Sequence, residues 1–431
     1  MCGIAGIINK KNKDDNLSNV LKNMSRIISH RGPDQAGFLQ YNNFFLSHLR
    51  LAVMDPRNLG RQPMSNDDNI FIVFNGEIYN YKEIRNKLIN IGYKFISNSD
   101  TEVALNAYKE WGIKAFEFFN GDWIICILNK SENNFIIAKD RLGSKPLYIY
   151  EDTEYLSFCS EIKGFQALKP PEYDERYLGL NYKSIYEFNG TKFKNIYQTK
   201  PGTILKIDLN TLNKNTVKWF NPLENLVPIN PSYKKNKEDF NSKVVEATRL
   251  RLDADLKIGT SLSGGLDSSV IFSVLNAIES EDSFEKKIDL NPVIVDYKNN
   301  LTTEYAKNLS YLHEREPNII NTKFKYSIDS LSTLFSQLEL VDEYSKHIEL
   351  YEKQKSLGID VSIDGHGADE FLGQPKNIPQ MSFTYYNNLT DINKINYNFK
   401  SNENISLMTK YYGDLAKKKQ RAVIDFGKFI D

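Results

Sequence analysis

The stretch Ser263-Gly264-Gly265-Leu266-Asp267-Ser268-Ser269 decides the fold of the second half of the chain. It lies between an apolar run at 256–262, typical of a strand, and a helical pattern that begins at Ser268. Amides of a Gly-Gly turn can converge on phosphate oxygens, and a helix N-terminus favours the same anion. We therefore expect a phosphate-binding loop, with Asp267 as a ligand of Mg²⁺. The alternative is a plain glycine turn followed by a serine cap. The glycines are not followed by lysine, which excludes a Walker-type loop.

Strand and helix patterns alternate on both sides of this loop. Beyond it, the sequence predicts a strand at 292–295, a helix from Thr303 and a strand at 360–363. Such alternation is typical of a doubly wound parallel sheet. A helical pattern through Leu252 precedes the loop, and before that helix 221–235 is rich in proline and polar residues. We expect this stretch to be a linker between a first domain, 1–220, and a second domain, 236–431.

The first domain has a different pattern of apolar residues. Short apolar runs separated by Gly, Asn and Asp clusters predict strands at 3–8, 44–51, 70–74, 123–128, 135–138 and 147–150. Apolar residues at helical spacing predict helices at 17–28, 81–91 and 102–111. Together these patterns favour layered sheets covered by a few helices.

Cys2 follows the initiator methionine in Met1-Cys2-Gly3-Ile4-Ala5-Gly6. Removal of Met1 would leave a thiol and a free α-amine on one residue. An amine with a pKa near ~8 can take the proton of the thiol directly or through one water. The position therefore predicts an N-terminal nucleophile, although an isolated cysteine at position 2 is most often incidental.

The composition excludes several classes of protein. Lys plus Arg and Asp plus Glu both number 55, so no overall field favours nucleic acid or an acidic membrane surface. The three cysteines are widely spaced and the five histidines lack metal-ligand spacing, which argues against disulfides and zinc. No apolar stretch approaches ~20 residues and no signal peptide is indicated. We expect a cytoplasmic enzyme without a membrane or nucleic-acid partner.

The terminal Cys-Gly-Ile-Ala-Gly block together with the Ser-Gly-Gly-Leu-Asp-Ser-Ser loop resembles the glutamine-dependent asparagine synthetases. The resemblance covers nearly all of residues 1–373. It implies a layered α-β-β-α glutaminase of the N-terminal nucleophile type, followed by an ATP-pyrophosphatase domain with a doubly wound parallel sheet. In that family, ammonia released from glutamine passes through an internal tunnel to a carboxylate that ATP has activated as an acyl-adenylate.

The resemblance assigns the glutaminase site residue by residue. Arg50, in His48-Leu49-Arg50-Leu51-Ala52-Val53, would bind the α-carboxylate of glutamine through its planar fork. The Asn75 side chain and the Gly76 amide would form the oxyanion hole, although Asn-Gly alone predicts a hairpin turn. Asp100 would pair with the α-amine of glutamine, and it also lies in a helix-capping pattern that starts at Ser99. The resemblance adds Leu51, Val53 and Glu77 to the same pocket.

The same resemblance assigns the nucleotide site. The ATP-binding residues would be Leu262, Ser263, Gly264, Gly265, Leu266, Asp267, Ser268, Ser269, Val295, Asp364 and Gly365. Leu262 and Val295 would flank the adenine. Asp267 and Asp369 would coordinate Mg²⁺. Two further blocks, 30–34 and 140–148, match the family, and we interpret them as mainly structural.

The chain departs from the family in two places. Where the family has Ser-Gly-Glu-Gly, this chain has Asp364-Gly365-His366-Gly367, so an imidazole that can act as acid or base replaces a fixed negative charge. The family also continues well past this loop with arginine- and lysine-bearing segments, whereas 374–431 is polar and rich in Asn and Tyr. We therefore expect a C-terminally incomplete synthetase domain, either assisted by a second polypeptide or a homodimer partner, or inactive in synthesis.

Three functional hypotheses follow. The first is an ATP-dependent amidotransferase that makes asparagine from aspartate and releases AMP and pyrophosphate. The second is amidation of a sugar carboxylate in surface-polysaccharide synthesis, because loops of the Asp-Gly-Gln-Gly type resemble relatives with that role. The third is a partner protein that binds or hydrolyses glutamine without synthesis.

Overall fold

The computed structural model describes residues 1–11, 16–55, 57–175, 190–228, 230–281, 284, 288–296, 301–321 and 348–368. These residues fall into two compact units that divide between Asn221 and Pro222. The N-terminal unit contains antiparallel sheets, and the C-terminal unit contains parallel strands with helices between them. No helix within the described ranges has the length and apolar character needed to cross a membrane.

The first sheet of the N-terminal unit has the strand order β2-β3-β1-β8-β7-β9 among the described residues. Neighbouring strands are antiparallel, with Ile4 opposite His48 and Ala5 opposite Cys159. Its strands are β1 (Gly3–Asn9), β2 (Gln35–Tyr41), β3 (Phe44–Arg50), β7 (Tyr148–Glu151), β8 (Tyr155–Cys159) and β9 (Ile196–Gln198). The central strand β1 is buried along its whole length, as its apolar sequence predicts.

The second sheet has the order β11-β10-β6-β5-β4, so β4 is an edge strand of the described sheet. Its strands are β4 (Ile70–Ile78), β5 (Gly121–Asn129), β6 (Asn134–Lys139), β10 (Thr203–Asp208) and β11 (Lys214–Lys218). Strand β4 pairs with β5 over its full length, with Asn75 opposite Ile124 and Glu77 opposite Asp122. The pairing fixes which side chains of β4 face each side of the sheet.

The described part of this unit also contains the helices α1 (Leu17–Ile27), α2 (Tyr81–Asn90), α3 (Asp100–Trp111) and the single turn α4 (Ala115–Phe118). The buried residues of α1 recur at helical spacing, with Leu17, Leu21 and Met24 on one face. Helix α3 is capped by the Ser99 side chain, which accepts a hydrogen bond from the Thr101 amide. The capping pattern predicted at Ser99 is therefore confirmed.

Three apolar clusters show that the N-terminal unit has four layers. One cluster joins β4, β5 and β6 to α2 and α3, and another joins the first sheet to α1. A third cluster contains side chains of both sheets, including Ile4, Phe44, Val73 and Ile124. The two sheets therefore face each other across a shared core, with helices outside. This arrangement confirms the α-β-β-α architecture.

The described residues of the C-terminal unit form four short parallel strands: β12 (Ile258–Gly259), β13 (Val293–Asp296), β14 (Asn318–Asn321) and β15 (Val361–Ser362). Its helices are α5 (Tyr233–Leu250), α6 (Leu266–Glu279), α7 (Leu301–Leu312) and α8 (Ile348–Ser356). Strand β12 pairs with β15, β13 pairs with β14, and a parallel bridge from Ser261 to Val293 joins the pairs. The order is therefore β14-β13-β12-β15. Strands β13 and β14 lie on one side of β12 and the later strand β15 lies on the other side, so the strand order reverses at β12, although all four strands are parallel. That point is where doubly wound sheets bind ligands.

Most predicted elements of both units are present, with boundaries that shift by a few residues. The exception is the predicted strand at 256–262, which is regular only at Ile258–Gly259. The hairpin alternative for Asn75-Gly76 is wrong, because both residues lie inside strand β4. Gly76 has φ +149°, and a Cβ there would lie 2.1 Å from the Asp122 carbonyl oxygen. Glycine is needed at this position because the neighbouring strand approaches the backbone so closely.

Candidate functional site

One end of the space between the two sheets gathers polar side chains. Val73 of β4 belongs to the core shared by both sheets, so Asn75 and Glu77 face the same side by alternation. From the first sheet, Cys2 immediately precedes β1 and His48 is buried on neighbouring β3. The charge of Glu77 lies near enough to Cys2 to raise the pKa of its thiol. The sequence-predicted nucleophile and oxyanion residues thus belong to one chamber.

The Cys2 thiol lies against the turn that follows β3. The Leu51 amide donates to Sγ at 3.4 Å, and Sγ lies 3.7 Å from the Leu51 carbonyl oxygen. Burial raises the pKa of the Cys2 thiol, and the Leu51 amide only partly opposes that effect. The Val53 amide closes the turn by donating to the Leu51 carbonyl. A half-buried thiol with a raised pKa needs a nearby base to react at neutral pH.

Arg31 connects the backbone of Cys2 to a buried carboxylate. Its Nε donates to the Cys2 carbonyl oxygen at 2.9 Å, and its Nη1 donates to Glu161 at 2.9 Å. His30 and Lys163 also contact Glu161, at 2.9 and 2.8 Å. Burial opposes ionisation of Glu161, but the hydrogen bonds from His30, Lys163 and Arg31 outweigh it and lower the pKa of Glu161 to about 2. The block at 30–34, which the sequence indicates to be mainly structural, therefore contacts Cys2, the predicted nucleophile.

Asn75 presents a hydrogen-bond donor that is not satisfied. Its side chain is 1% exposed, and within the described parts of the chain its Nδ2 has no hydrogen-bond partner. Buried side-chain amides are normally paired, so an unpaired one marks a place where a ligand atom can bind. An amide nitrogen next to the Gly76 peptide is a suitable donor set for a developing oxyanion.

The guanidinium of Arg50 is already surrounded by acceptors. Its Nη2 donates to the carbonyl oxygens of Met54 and Asp55, both at 2.7 Å, and its Nη1 donates to Gln35 Oε1 at 3.0 Å and the Arg57 carbonyl at 3.2 Å. These four bonds use all four Nη hydrogens. Binding of a substrate carboxylate by Arg50 would therefore require Nε or the displacement of a carbonyl.

Glu77 and Asp100 form a carboxyl pair in which Asp100 is buried and Glu77 is half-buried. They share a hydrogen bond, and Asp100 also accepts from the Ile78 amide at 3.0 Å. Burial and the nearby Asp100 charge raise the pKa of Glu77, while burial raises that of Asp100 against the opposing Ile78 and Thr101 amides. The pair therefore holds a proton when no cation is bound. Its field would attract an ammonium group.

In the C-terminal unit, the loop before α6 is ordered by its own serines. The Ser263 and Ser268 hydroxyls lie 2.8 Å apart, and the Gly265 amide donates to Ser263 Oγ at 3.2 Å. Gly264 has φ +80°, and a Cβ there would lie 1.9 Å from the Thr302 carbonyl oxygen. Both glycine conformation and close packing thus hold the loop at the start of the helix.

The loop after β15 meets this first loop at the point where the strand order reverses. Asp364 accepts hydrogen bonds from the Ser261 amide at 3.0 Å and the Ser261 hydroxyl at 2.5 Å. A Cβ on Gly365 would lie 2.6 Å from the Ser268 amide nitrogen and 2.7 Å from the Asp267 carbonyl carbon. The structure therefore brings together the two loops that the sequence assigned to nucleotide binding.

Other predicted nucleotide-site residues are placed less directly. The Leu262 side chain is buried in an apolar cluster with Phe272 and Ile294, so it faces the core. Val295 is half-buried, and His366 is exposed. Asp369 lies outside the described residues. In the part of the chain that the structure describes, no group of three or more His, Cys, Asp or Glu side chains could hold a metal.

Two side chains near this chamber were not predicted from the sequence. Gln62 is buried and hydrogen-bonded to β4, but its surroundings in the sequence carry no periodic signal. Lys145 acts on both the chain terminus and Glu77 through its charge. The block at 140–148 had been interpreted as structural. Only the folded arrangement shows which of its charges faces the chamber.

Comparison with known proteins agrees with this geometry. The family model described as glutamine amidotransferase domain matches residues 1–220, and the model described as asparagine synthase matches 239–424. A Methanocaldococcus jannaschii protein with an asparagine synthetase (glutamine-hydrolyzing) designation is 31% identical over 86% of this chain and 75% of its own length. Asparagine synthetase (glutamine-hydrolyzing) 2 of Bacillus subtilis is 29% identical over 86% of this chain.

The chain spans only 52% of the length of that Bacillus subtilis relative. Among solved structures, glutamine phosphoribosylpyrophosphate amidotransferase from B. subtilis is 15% identical, with a TM-score of 0.40 over 84% of this chain and 90% of that chain. The two family matches and the archaeal relative decide the assignment: the chain belongs to the family of glutamine-hydrolysing asparagine synthetases.

Proposed function

We propose that the N-terminal unit hydrolyses glutamine to glutamate and ammonia with Cys2 as the nucleophile. The observation that carries this proposal is the buried Asn75 amide nitrogen, which has no partner among the described residues and lies on the chamber that Cys2 borders. A donor left unpaired in the resting protein can meet an oxyanion without first losing another bond.

The reaction begins after removal of Met1. The new α-amine of Cys2 takes the thiol proton, and Sγ attacks the side-chain amide carbon of glutamine. The electron pair of the carbonyl moves to its oxygen, where Asn75 Nδ2 and the Gly76 amide stabilise the charge. Return of that pair breaks the C–N bond, and the α-ammonium gives its proton to the leaving nitrogen. Water then cleaves the thioester and releases glutamate.

Recognition of glutamine uses the two ends of the chamber. The Glu77–Asp100 pair would bind the α-ammonium of the substrate, because two adjacent carboxyl groups favour a cation there. Arg50 would bind the α-carboxylate once a carbonyl of the 54–57 segment gives up its place on the guanidinium. Leu51 and Val53 shape the turn beside the thiol.

The C-terminal unit is proposed to bind ATP between its two meeting loops. Support comes from the strand order, which reverses where the Ser261–Asp364 contact lies, and from the helix start at Leu266. Asp267, in the first turn of α6, has the carboxylate chemistry that Mg²⁺ prefers, and Asp369 would join it. When bound, Mg²⁺ would neutralise phosphate charge.

Aspartate is the proposed acceptor, converted to asparagine with release of AMP and pyrophosphate. The names of the relatives support this choice. The chain is shorter than those relatives. We propose that the whole protein carries out the synthesis, alone or with a second copy or polypeptide. The free state of all three cysteines supports a reducing, cytoplasmic setting.

The test is to incubate the purified protein with glutamine, ATP, Mg²⁺ and aspartate, and to quantify glutamate, asparagine and pyrophosphate. Mass spectrometry of the N-terminal peptide shows whether Met1 has been removed. Glutamate formation that depends on Cys2 supports the first half of the proposal. Retention of Met1 in a fully active preparation would contradict the proposed base.

A further inference from the structure

We infer that Gln62 is a positioning residue for the oxyanion hole: its buried amide fixes the strand segment that carries Asn75 and ties that segment to the start of helix α3. The inference rests on the proposed glutaminase function. It concerns a side chain that touches neither the nucleophile nor the expected substrate groups, but holds the backbone that precedes one of them.

Gln62 makes one hydrogen bond with each end of its amide. The Phe74 amide donates to Gln62 Oε1 at 2.6 Å, and Gln62 Nε2 donates to Thr101 Oγ1 at 3.1 Å. Gln62 is 4% exposed and Thr101 is 2% exposed, so water does not compete for either bond. Phe74 directly precedes Asn75, and Thr101 directly follows Asp100.

The position of Gln62 explains why a side chain is needed there. In the described sheet, β4 is an edge strand, so the polar groups on its outer side have no neighbouring strand. At Ile72 the chain itself fills that role, because the backbones of Met64 and Ile72 exchange two hydrogen bonds of 2.9 Å. Two residues farther along β4, the Gln62 side chain continues the same ladder at Phe74.

His48 holds the other half of the Phe74 backbone. Its Nε2 lies 3.0 Å from the Phe74 carbonyl oxygen, and because a carbonyl can only accept, the ring must donate. Burial lowers the pKa of His48 to about 3, so the imidazole is neutral at working pH with its proton on Nε2. His48 pairs with Ile4 of β1, two residues after Cys2.

The Phe74 residue is thus fixed on both of its polar groups from outside its own sheet. The His48 hydrogen bond connects Phe74 to the sheet whose strand β1 follows Cys2. The two Gln62 hydrogen bonds connect Phe74 to the helix that begins with Asp100. Oxyanion stabilisation depends on donor placement to within about 0.5 Å. Greater mobility of the Phe74 backbone should therefore weaken stabilisation of the transition state more than it weakens the binding of glutamine.

The experiment compares glutamine hydrolysis by wild-type protein and by Gln62→Leu, Thr101→Val and Thr101→Ser. We expect Gln62→Leu to lower kcat roughly 10- to 100-fold while KM changes less than about threefold, the pattern of a lost transition-state interaction. Thr101→Val removes the hydroxyl at constant shape and should lower kcat in the same way, whereas Thr101→Ser should retain activity.

Asn106→Ala is the matched control. Asn106 is buried on α3, the helix that also carries Thr101, and it accepts a hydrogen bond from Asn66. It lies far along the chain from Phe74. It should lower the melting temperature without the selective loss of kcat. A second pair tests the other backbone polar group of Phe74, its carbonyl: His48→Gln keeps an N–H donor and should retain more activity than His48→Leu.

Binding of L-glutamate γ-semialdehyde gives a readout that a general loss of stability does not move. Addition of Cys2 to this aldehyde would place an oxygen at the oxyanion position, so Gln62→Leu should weaken its inhibition by the same factor as kcat. Equal kcat in wild type, Gln62→Leu and Thr101→Val would overturn the inference. If Gln62→Leu fails to fold, the Thr101→Val and Thr101→Ser pair decides. Absence of glutamate release by wild type would overturn the proposed function, and this inference with it.

Discussion

The buried side chain of Arg31 joins Cys2 to Glu161: its Nε donates to the Cys2 carbonyl and its Nη1 to the Glu161 carboxylate, both at 2.9 Å. The residue proposed as nucleophile is therefore held by a charge pair formed between the segment after α1 and the segment after β8. Since the guanidinium is buried, its charge depends on Glu161 for compensation.

Glu161→Gln should destabilise the protein by about 3 kcal/mol at pH 7. The carboxyl has a pKa of about 2 in place of its ordinary 4.5, and each unit corresponds to about 1.4 kcal/mol. Because the folded pKa is lowered, this stability is present above pH 4.5 and is lost as pH falls towards 2. Urea unfolding of both proteins from pH 7 to pH 3 checks the sign: the difference between them should shrink on acidification, and a constant difference would contradict the assignment.

Asn75→Ala should lower kcat for glutamine hydrolysis by about 100- to 1,000-fold, the cost of removing one oxyanion donor. KM should change little, because the Asn75 amide nitrogen has no partner in the resting protein and meets its acceptor only as charge develops. Steady-state glutamate release measures both constants. A large rise in KM with unchanged kcat would assign Asn75 to ground-state binding instead.

The Glu77–Asp100 pair should make glutamine binding depend on pH. The pKa of each carboxyl is raised, so protons compete with the substrate α-ammonium below those values, and KM should rise up to tenfold per pH unit as pH falls. The folding stability of the unliganded protein depends on pH in the opposite sense. The free energy of unfolding that these raised pKa values contribute is lost as pH rises through them. Lys145, the chain terminus and Arg50 are the cations that oppose the proton.

Calorimetry with Cys2→Ala, which binds glutamine without turnover, should detect proton release in buffers of different ionisation enthalpy. Asp100→Asn should remove that release and weaken binding by at least tenfold. Glu110→Gln on the exposed part of the same helix serves as the control. Binding without any proton exchange near pH 6 would show that the pair is already ionised.

Cys2→Ala and Asp267→Asn should separate the two half-reactions. Cys2→Ala removes glutamine hydrolysis but should spare amide formation from free ammonia, since the thiol serves only the first unit. Asp267→Asn should spare glutamate release and remove nucleotide turnover. Both rates are measured in one preparation with labelled ATP and a mass assay for the amide. Retained ATP consumption by Asp267→Asn would remove that residue from the metal site.

The layered architecture could be predicted because its signals are local. Apolar runs of strand length and helical spacing, such as those at 3–8 and 17–28, contain their own period, and the four-layer core follows from them. The parallel sheet was equally visible from the alternation around 263–269. Strand β11 escaped prediction because it is exposed at every position and lacks an apolar side.

The chamber could be predicted only in part, because its contacts join distant segments. Asn75 and Cys2 carried motifs, whereas the bond from Gln62 to Phe74 joins an otherwise unmarked glutamine to an edge strand. The wrapping of Arg50 by 54–57 also depends on a loop path that no periodicity encodes. These are long-range polar contacts, and sequence patterns report burial far better than they report hydrogen-bond partners.

Alternation along β4 has a consequence for how this family of sequences can vary. Because Asn75 and Glu77 point into the chamber while Phe74 and Ile78 point to the helices, inserting or deleting a single residue between Val73 and Ile78 would exchange the two sets. Phenylalanine would then enter the chamber and a carboxyl would enter the hydrophobic layer. Natural length changes should therefore be confined to the connections before Ile70 and after Ile78, where they leave the register untouched.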